Sequence, residues 1–250
     1  MATTSCHIRS ISLPTRPHNQ RVEEILNKLK VLEVSTASTA ETICSRLLVL
    51  EDLHKCVDDH LNLTHLSQHG KWFEDLSEQS MRILDVCGTI RELVSQCKEH
   101  VRDVASSVRR RKQDNIVRFA SFRKKMKKDA KRLVLSLKQM NEETEGSLFL
   151  DAAPEIAFFI RAMRKVSASC IPIFQMLLSF MYVPLLKTKS SKWSLVSRLV
   201  YKGRVSCEVQ EPNMNMEAFE SQLHSIEKGL ERVYRCLIRS RSSLLNTVSF

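Results

Sequence analysis

Residues 72–108, "WFEDLSEQSMRILDVCGTIRELVSQCKEHVRDVASSV", decide the fold. Phe73, Leu76, Ser80, Ile83, Cys87, Ile90, Val94, Cys97, Val101, Val104 and Val108 recur at alternating steps of three and four through five heptads. An α-helix turns once in about 3.6 residues, so this spacing draws one stripe along a helix and leaves the charged residues opposite. A stripe that holds its register for so long predicts a long helix lying nearly parallel to a neighbour. Gly88 sits mid-run, where it costs about 1 kcal/mol relative to alanine and marks a candidate close helix crossing.

The same period extends in both directions. Toward the C-terminus, Met216, Phe219, Leu223, Ile226, Leu230, Val233 and Leu237 lead to a polar Ser240 and then Leu244. Toward the N-terminus, the seam reads Ala40, Ile43, Leu47, Leu50, His54, Val57 and Leu61. Ser38 and Glu41 ahead of it have the capping-box spacing, in which a hydroxyl and a carboxylate satisfy free N–H groups at a helix start. Val22, Ile25, Leu29 and Leu32 mark an earlier helix, and Ile116, Phe119, Met126, Leu133, Leu137 and Met140 mark one inside a basic stretch. Phe119 and Phe122 are expected to face the core rather than to stack on bases.

Val166–Leu186 holds 21 residues without a charge, long enough to span a bilayer. Its two prolines, Gln175 and three serines favour the central helix of a bundle instead, with Pro172 kinking or restarting it and Pro184 ending it. A short helix is expected around "WSLVSRLV", residues 193–200. Five glycines and six prolines in 250 residues leave little material for the tight turns of an all-β fold. The fold class that follows is all-α: an elongated bundle of about five to seven helices with coiled-coil-like heptad packing. Residues 20–250 are read as one domain and residues 1–19 as a disordered regulatory tail.

The chain carries few motifs of known chemistry. No nucleophile elbow, HExxH, phosphate loop or dinucleotide fingerprint occurs, so the chain is expected to be no enzyme and to need no cofactor. Cys56, Asp58, Asp59, His60, His65 and His69 form the nearest thing to a metal set. Lacking the paired cysteines of structural zinc sites, they read as a solvated helix end, with His54 at the edge of the core. None of the eight cysteines pairs as CxxC; they read as free thiols, Cys87 and Cys97 among them serving as small core residues. The first residues show no apolar signal region and no glycine at position two, so the expected location is cytoplasmic, with the nucleus second and plastid or membrane association behind.

Two features address partners. The net charge of +11 is concentrated between Arg109 and Lys138, where thirteen bases meet only Asp114 and Asp129; elsewhere acids and bases cancel. Arg109, Arg110, Arg111 and Lys112, then Arg123, Lys124, Lys125, Lys127 and Lys128, form the patch. It fits a solvated helix face, a bipartite nuclear-import signal or a grip on anionic lipid, with nucleic acid the least favoured partner. Nearer the start, "RSISLP" matches R-S-x-S-x-P, the form that 14-3-3 proteins bind once its second serine is phosphorylated. Arg9, Ser10, Ser12 and Pro14 carry the motif, with Ser12, and after it Ser10, the candidate phosphosites.

Several blocks carry a resemblance as well. "HIRSISLPTRPH" (7–18), "EEILNKLK" (23–30), "SRLLVLEDLHKCVDD" (45–59), "RILDVCGTIRELVSQCKEHV" (82–101), "FRKKMKKDAKRL" (122–133), "SSKWSLVSRL" (190–199) and "RSSLLN" (241–246) stand in order along the chain. They resemble a plant-specific family catalogued as domain of unknown function two-forty-one and grouped with BYPASS-like proteins. The resemblance implies a role in root and shoot development and supplies no reaction, cofactor or catalytic residue. The expectation is a regulatory or adaptor protein with protein partners, or alternatively a peripheral membrane protein that binds anionic lipid through residues 109–138.

Overall fold

A computed structural model of the chain describes residues 18–33, 38–63, 71–110, 114–144, 154–186 and 216–246. Six helices occupy them: α1 (His18–Glu33), α2 (Ala40–Leu63), α3 (Lys71–Arg109), α4 (Asp114–Thr144), α5 (Pro154–Leu186) and α6 (Met216–Asn246). The described residues contain no strand, in keeping with the all-α reading. The decisive stretch is one helix, and Leu76, Ile83, Cys87, Ile90, Val94, Cys97, Val101 and Val104 of its stripe are all buried. From Phe219 to Leu244 the α6 seam is buried at every position named, Ser240 included. Residues 1–17 of the tail, the 193–200 segment and most of the linking stretches lie outside the described residues; His18 and Asn19, read as the end of the tail, instead open α1.

Four helices make a ring of neighbours in which α6 joins α2 to α3 on one side and α5 joins them on the other. This leaves α2 facing α3, and α5 facing α6, across the core. α1 is laid along α2 and the edge of α5, and α4 along α3 and α5. Arg46 of α2 donates to the Leu32 carbonyl at 2.6 Å, satisfying an acceptor that the last turn of α1 leaves free. Lys165 on α5 pairs with Glu23 on α1 at 2.7 Å.

The α3–α6 contact has a one-sided charge pattern. Arg91 pairs with Glu231, Lys98 with Glu227, Arg102 with Glu220 at 2.7 Å, and Arg109 with Glu217 at 3.4 Å. Every base of these pairs is on α3 and every acid on α6, so the ladder fixes an antiparallel register. Exposed pairs are individually worth about 0–1 kcal/mol, and their use here lies in alignment more than in stability. Arg91 also lies over the Tyr234 ring, 4.1 Å from its centroid.

Three local expectations need correction. Helix α2 is capped by Thr39, not Ser38: the Thr39 hydroxyl accepts from the Thr42 amide at 3.2 Å, and its carbonyl takes the first helical bond from Ile43. Ser38 instead donates to the Met176 carbonyl of α5, 138 residues away. Helix α5 passes through Pro172 without interruption and continues past Pro184 to Leu186. Cys170, Ile171, Ile173 and Phe174 are buried on either side of Pro172, so tertiary packing offsets the lost backbone bond. Burial also settles the uncharged run: from Val166 to Met181 its apolar stripe lies in the core, and no helix among the described residues is long and apolar enough to cross a membrane.

The tight helix crossing is also not at Gly88. Close approach occurs at Gly229 of α6, where an added Cβ would stand 3.0 Å from Leu47 Cδ1 and 3.4 Å from its Cβ. At Gly88 the nearest neighbour would be Tyr234 at 3.7 Å, an ordinary contact. Gly88→Ala is therefore expected to raise stability by about 0.5–1 kcal/mol through lower backbone entropy in the unfolded chain. Gly229→Val is expected to lower it by about 1–3 kcal/mol, because fully buried Leu47 has to move. Urea titration of both variants measures the two opposite signs.

Candidate functional site

The core is two apolar clusters rather than one. The larger runs from Leu29, Leu47 and Leu50 through Ile83–Val101, Phe174–Met181 and Phe219–Leu237. The smaller gathers Val22, Leu53, Val57, Trp72, Leu76, Phe159, Met163, Val166 and Leu244. Along α2, α3 and α6 the seam changes cluster at its single polar position: His54 lies between Leu50 and Val57, Ser80 between Leu76 and Ile83, Ser240 between Leu237 and Leu244. On α5 the change falls between Val166 and Cys170. Polar positions from four helices thus meet in one layer.

Within the layer, His54 Nδ1 and Ser240 Oγ are 3.2 Å apart, and His54 Nε2 faces Cys170 Sγ at 4.0 Å. The Cys170 thiol donates to the Val166 carbonyl at 3.4 Å. Arg241 of α6 reaches the rim and donates to the Ser77 carbonyl at 2.8 Å and to Ser80 Oγ at 3.1 Å. Asp58, one helical turn after His54, is only 3% exposed, and neither of its carboxylate oxygens completes a hydrogen bond. Burying a carboxylate that completes no hydrogen bond is costly, and only the nearby Ser240 hydroxyl and Arg239 charge offset it.

Burial sets the electrostatics. It raises the Asp58 pKa from 3.8 to about 6, against the opposing pull of the Ser240 hydroxyl and the Arg239 charge. It lowers the His54 pKa from 6.5 to about 4, so the imidazole is neutral at physiological pH. The Cys170 thiol is pushed far up by the same desolvation, and Cys87 and Cys97 rise to about 12. A nucleophilic Cys–His pair needs the opposite arrangement, a thiolate beside an imidazolium in reach of substrate. The chemistry open to this layer is hydrogen bonding that matches helix to helix.

The basic face has a different character. Lys124, Lys125, Lys127 and Lys128 are exposed on α4, whose other side buries Phe122, Met126, Ala130, Leu137 and Met140. Phe122 stacks on His100 of α3 with ring centroids 4.0 Å apart, as expected of a core-facing residue. Arg109 and Arg110 are exposed at the end of α3, where Arg109 answers Glu217 of α6. Arg123 belongs to α4, but its side chain, like all of Arg111 and Lys112, lies outside the described residues. Arg9, Ser10, Ser12 and Pro14 do so too.

A family model described as Protein BPS1 matches residues 46–247. The chain belongs to this family. The match to the BPS1 family takes in α3 to α6 and most of α2, and with them the whole polar layer and the basic face. It leaves out α1 and the tail motif. No curated protein and no solved structure matches the chain. The BPS1 family is plant-specific, and membership suggests a regulatory role in plant development, the coarse function that it supplies.

In this BPS1-family chain the histidine-rich group near the end of α2 divides. Cys56 and Asp58 are buried rather than part of a solvated end, because they flank the buried seam residue Val57. Asp59 is exposed; the His60 side chain and all of His65 and His69 lie outside the described residues. Among the described residues no group of three or more His, Cys, Asp or Glu could hold a metal ion. His54 is not at the edge of the core but within it, at 3% exposure. Asp58 as a buried acid was missed by sequence reasoning. Its signal is the i, i+4 spacing from a histidine already on the seam.

Proposed function

We propose that this BPS1-family chain is a non-enzymatic adaptor in plant organ development, addressed by phosphorylation of Ser12. The observation that carries the reading is the R-S-x-S-x-P sequence of the tail, joined to a helical scaffold whose buried histidine and thiol are held neutral. A phosphoserine adds close to two negative charges and three strong acceptors for the arginine cluster of a 14-3-3 groove, and proline turns the chain out of it. The six described cysteines are all free thiols, which supports work in a reducing compartment such as the cytoplasm.

Calorimetry with a peptide of residues 7–16 tests the switch. Phosphorylation of Ser12 is expected to tighten binding to a 14-3-3 protein by about 100-fold or more, and Ser12→Ala in the intact chain to abolish capture. Equal affinity of the two peptides overturns the switch. A second reading, contact with an anionic surface through the basic face, is favoured by the exposure of Lys124, Lys125 and Lys128 beside an apolar stripe already used in the core.

A further inference from the structure

We infer that Leu135 is a membrane-inserting residue, entering the interface of an anionic phospholipid bilayer while surrounding lysines hold the headgroups. This rests on the second reading above and sharpens it to one surface and one partner. Among the described residues α4 has two neighbours, α3 and α5, and the residues it turns toward them are buried. Leu135 points the other way and is 66% exposed, although leucine offers that face no hydrogen bond.

The lysines place it. At about 100° per residue, Lys124, Lys128, Lys131, Leu135 and Lys138 fall within an arc of about 80°, with Leu135 inside it rather than at its border. All four lysines are exposed. Lys131 and Lys138, four residues before and three after, are its immediate neighbours on the helix surface. The row extends about 21 Å along the axis. Where α3 meets α6, facing glutamates answer the bases; Lys124, Lys128, Lys131 and Lys138 present their charge outward.

A lone leucine ringed by lysines matches a bilayer surface better than a nucleic acid. Long lysine stems let the ammonium groups stay at the phosphates while the leucine reaches the acyl boundary. A single-stranded nucleic acid would call for an aromatic platform on this face, but Phe122 is turned into the core. A duplex would use the lysines and gain nothing from the leucine.

Co-sedimentation of the chain with vesicles of phosphatidylcholine, with and without phosphatidylserine, tests the inference. Partition is expected to require phosphatidylserine and to weaken about 100-fold in Lys124→Glu/Lys128→Glu/Lys131→Glu. Leu135→Asp is expected to weaken it about tenfold or more. Leu135→Trp is expected to be quenched by brominated lipid beyond the quenching of the parent chain's own tryptophans. Circular dichroism checks that these surface variants keep their helices. Absent, phosphatidylserine-independent or lysine-insensitive partition overturns the surface reading and the insertion with it. Lysine-sensitive partition unchanged by Leu135→Asp, with Leu135→Trp unquenched, overturns the insertion alone. Lysine-dependent binding to duplex DNA without vesicle partition overturns both in favour of a polyanion.

Discussion

Phe174→Ala is expected to cost about 3–5 kcal/mol of stability, more than either glycine substitution. The ring is fully buried in the larger cluster on α5, the helix that touches α2, α3 and α4. Removing it forfeits both the transfer free energy of the ring and the contacts of every side chain around the void. A native domain of this size is stable by only about 5–15 kcal/mol, so the variant should sit near the limit of folding at physiological temperature. Urea unfolding followed by circular dichroism should show a lower midpoint with little change in slope. An unchanged midpoint would mean that the surrounding side chains close over the gap.

Asp58→Asn is expected to act in the opposite direction and to depend on pH. With the folded pKa raised from 3.8 to about 6, ionising Asp58 in the core costs up to about 3 kcal/mol, reduced to between about 1 and 3 by residual solvent screening. That cost is absent below pH 3.8, where the carboxyl is protonated in both states, and complete above about pH 6. The variant should therefore be more stable by that amount at neutral pH, with the gain fading as pH falls toward 3.8. His54 has the reverse dependence: the folded state resists protonation, so its contribution is full above pH 6.5 and is lost as pH falls through about 4. The two slopes oppose each other between about pH 4 and 6 in the parent chain. Asp58→Asn leaves only the histidine slope, and thermal melts across this range should show steeper acid destabilisation. Parallel profiles for the two proteins would remove Asp58 from the layer.

How far the sequence carried this picture differs by residue. The stripes of α3 and α6 were legible because a single helix needs only its own period to declare which face is buried. His54, Ser80 and Ser240 were each visible as interruptions in a seam. Their meeting was not, since it depends on how far α2, α3 and α6 slide past one another, and no local pattern records that offset. The same limit explains Ser38, whose partner at Met176 lies on another helix, and the exchange of Gly88 for Gly229 as the point of close approach. Capping and crossing signals name a candidate; the neighbouring chain decides whether it is used. Leu135 went unnoticed among the basic residues because charge, summed over a stretch, hides a single apolar position.

The place of α6 between α2 and α3 has a consequence for synthesis. Emerging from the ribosome after the other five described helices, it is the element that covers Leu47 and Leu50 on one side and Ile83, Cys87 and Ile90 on the other. Until translation has passed Leu244, a nascent chain with most of its helices already made keeps a greasy trough open to the cell, the condition in which holding chaperones bind and aggregates start. The row of glutamates on α6, arriving at the row of bases on α3, is drawn toward that trough over the reach of a screened charge, about 10 Å, before any leucine touches. The ladder that adds little to the stability of the finished fold is expected to shorten the interval in which the unfinished one is vulnerable.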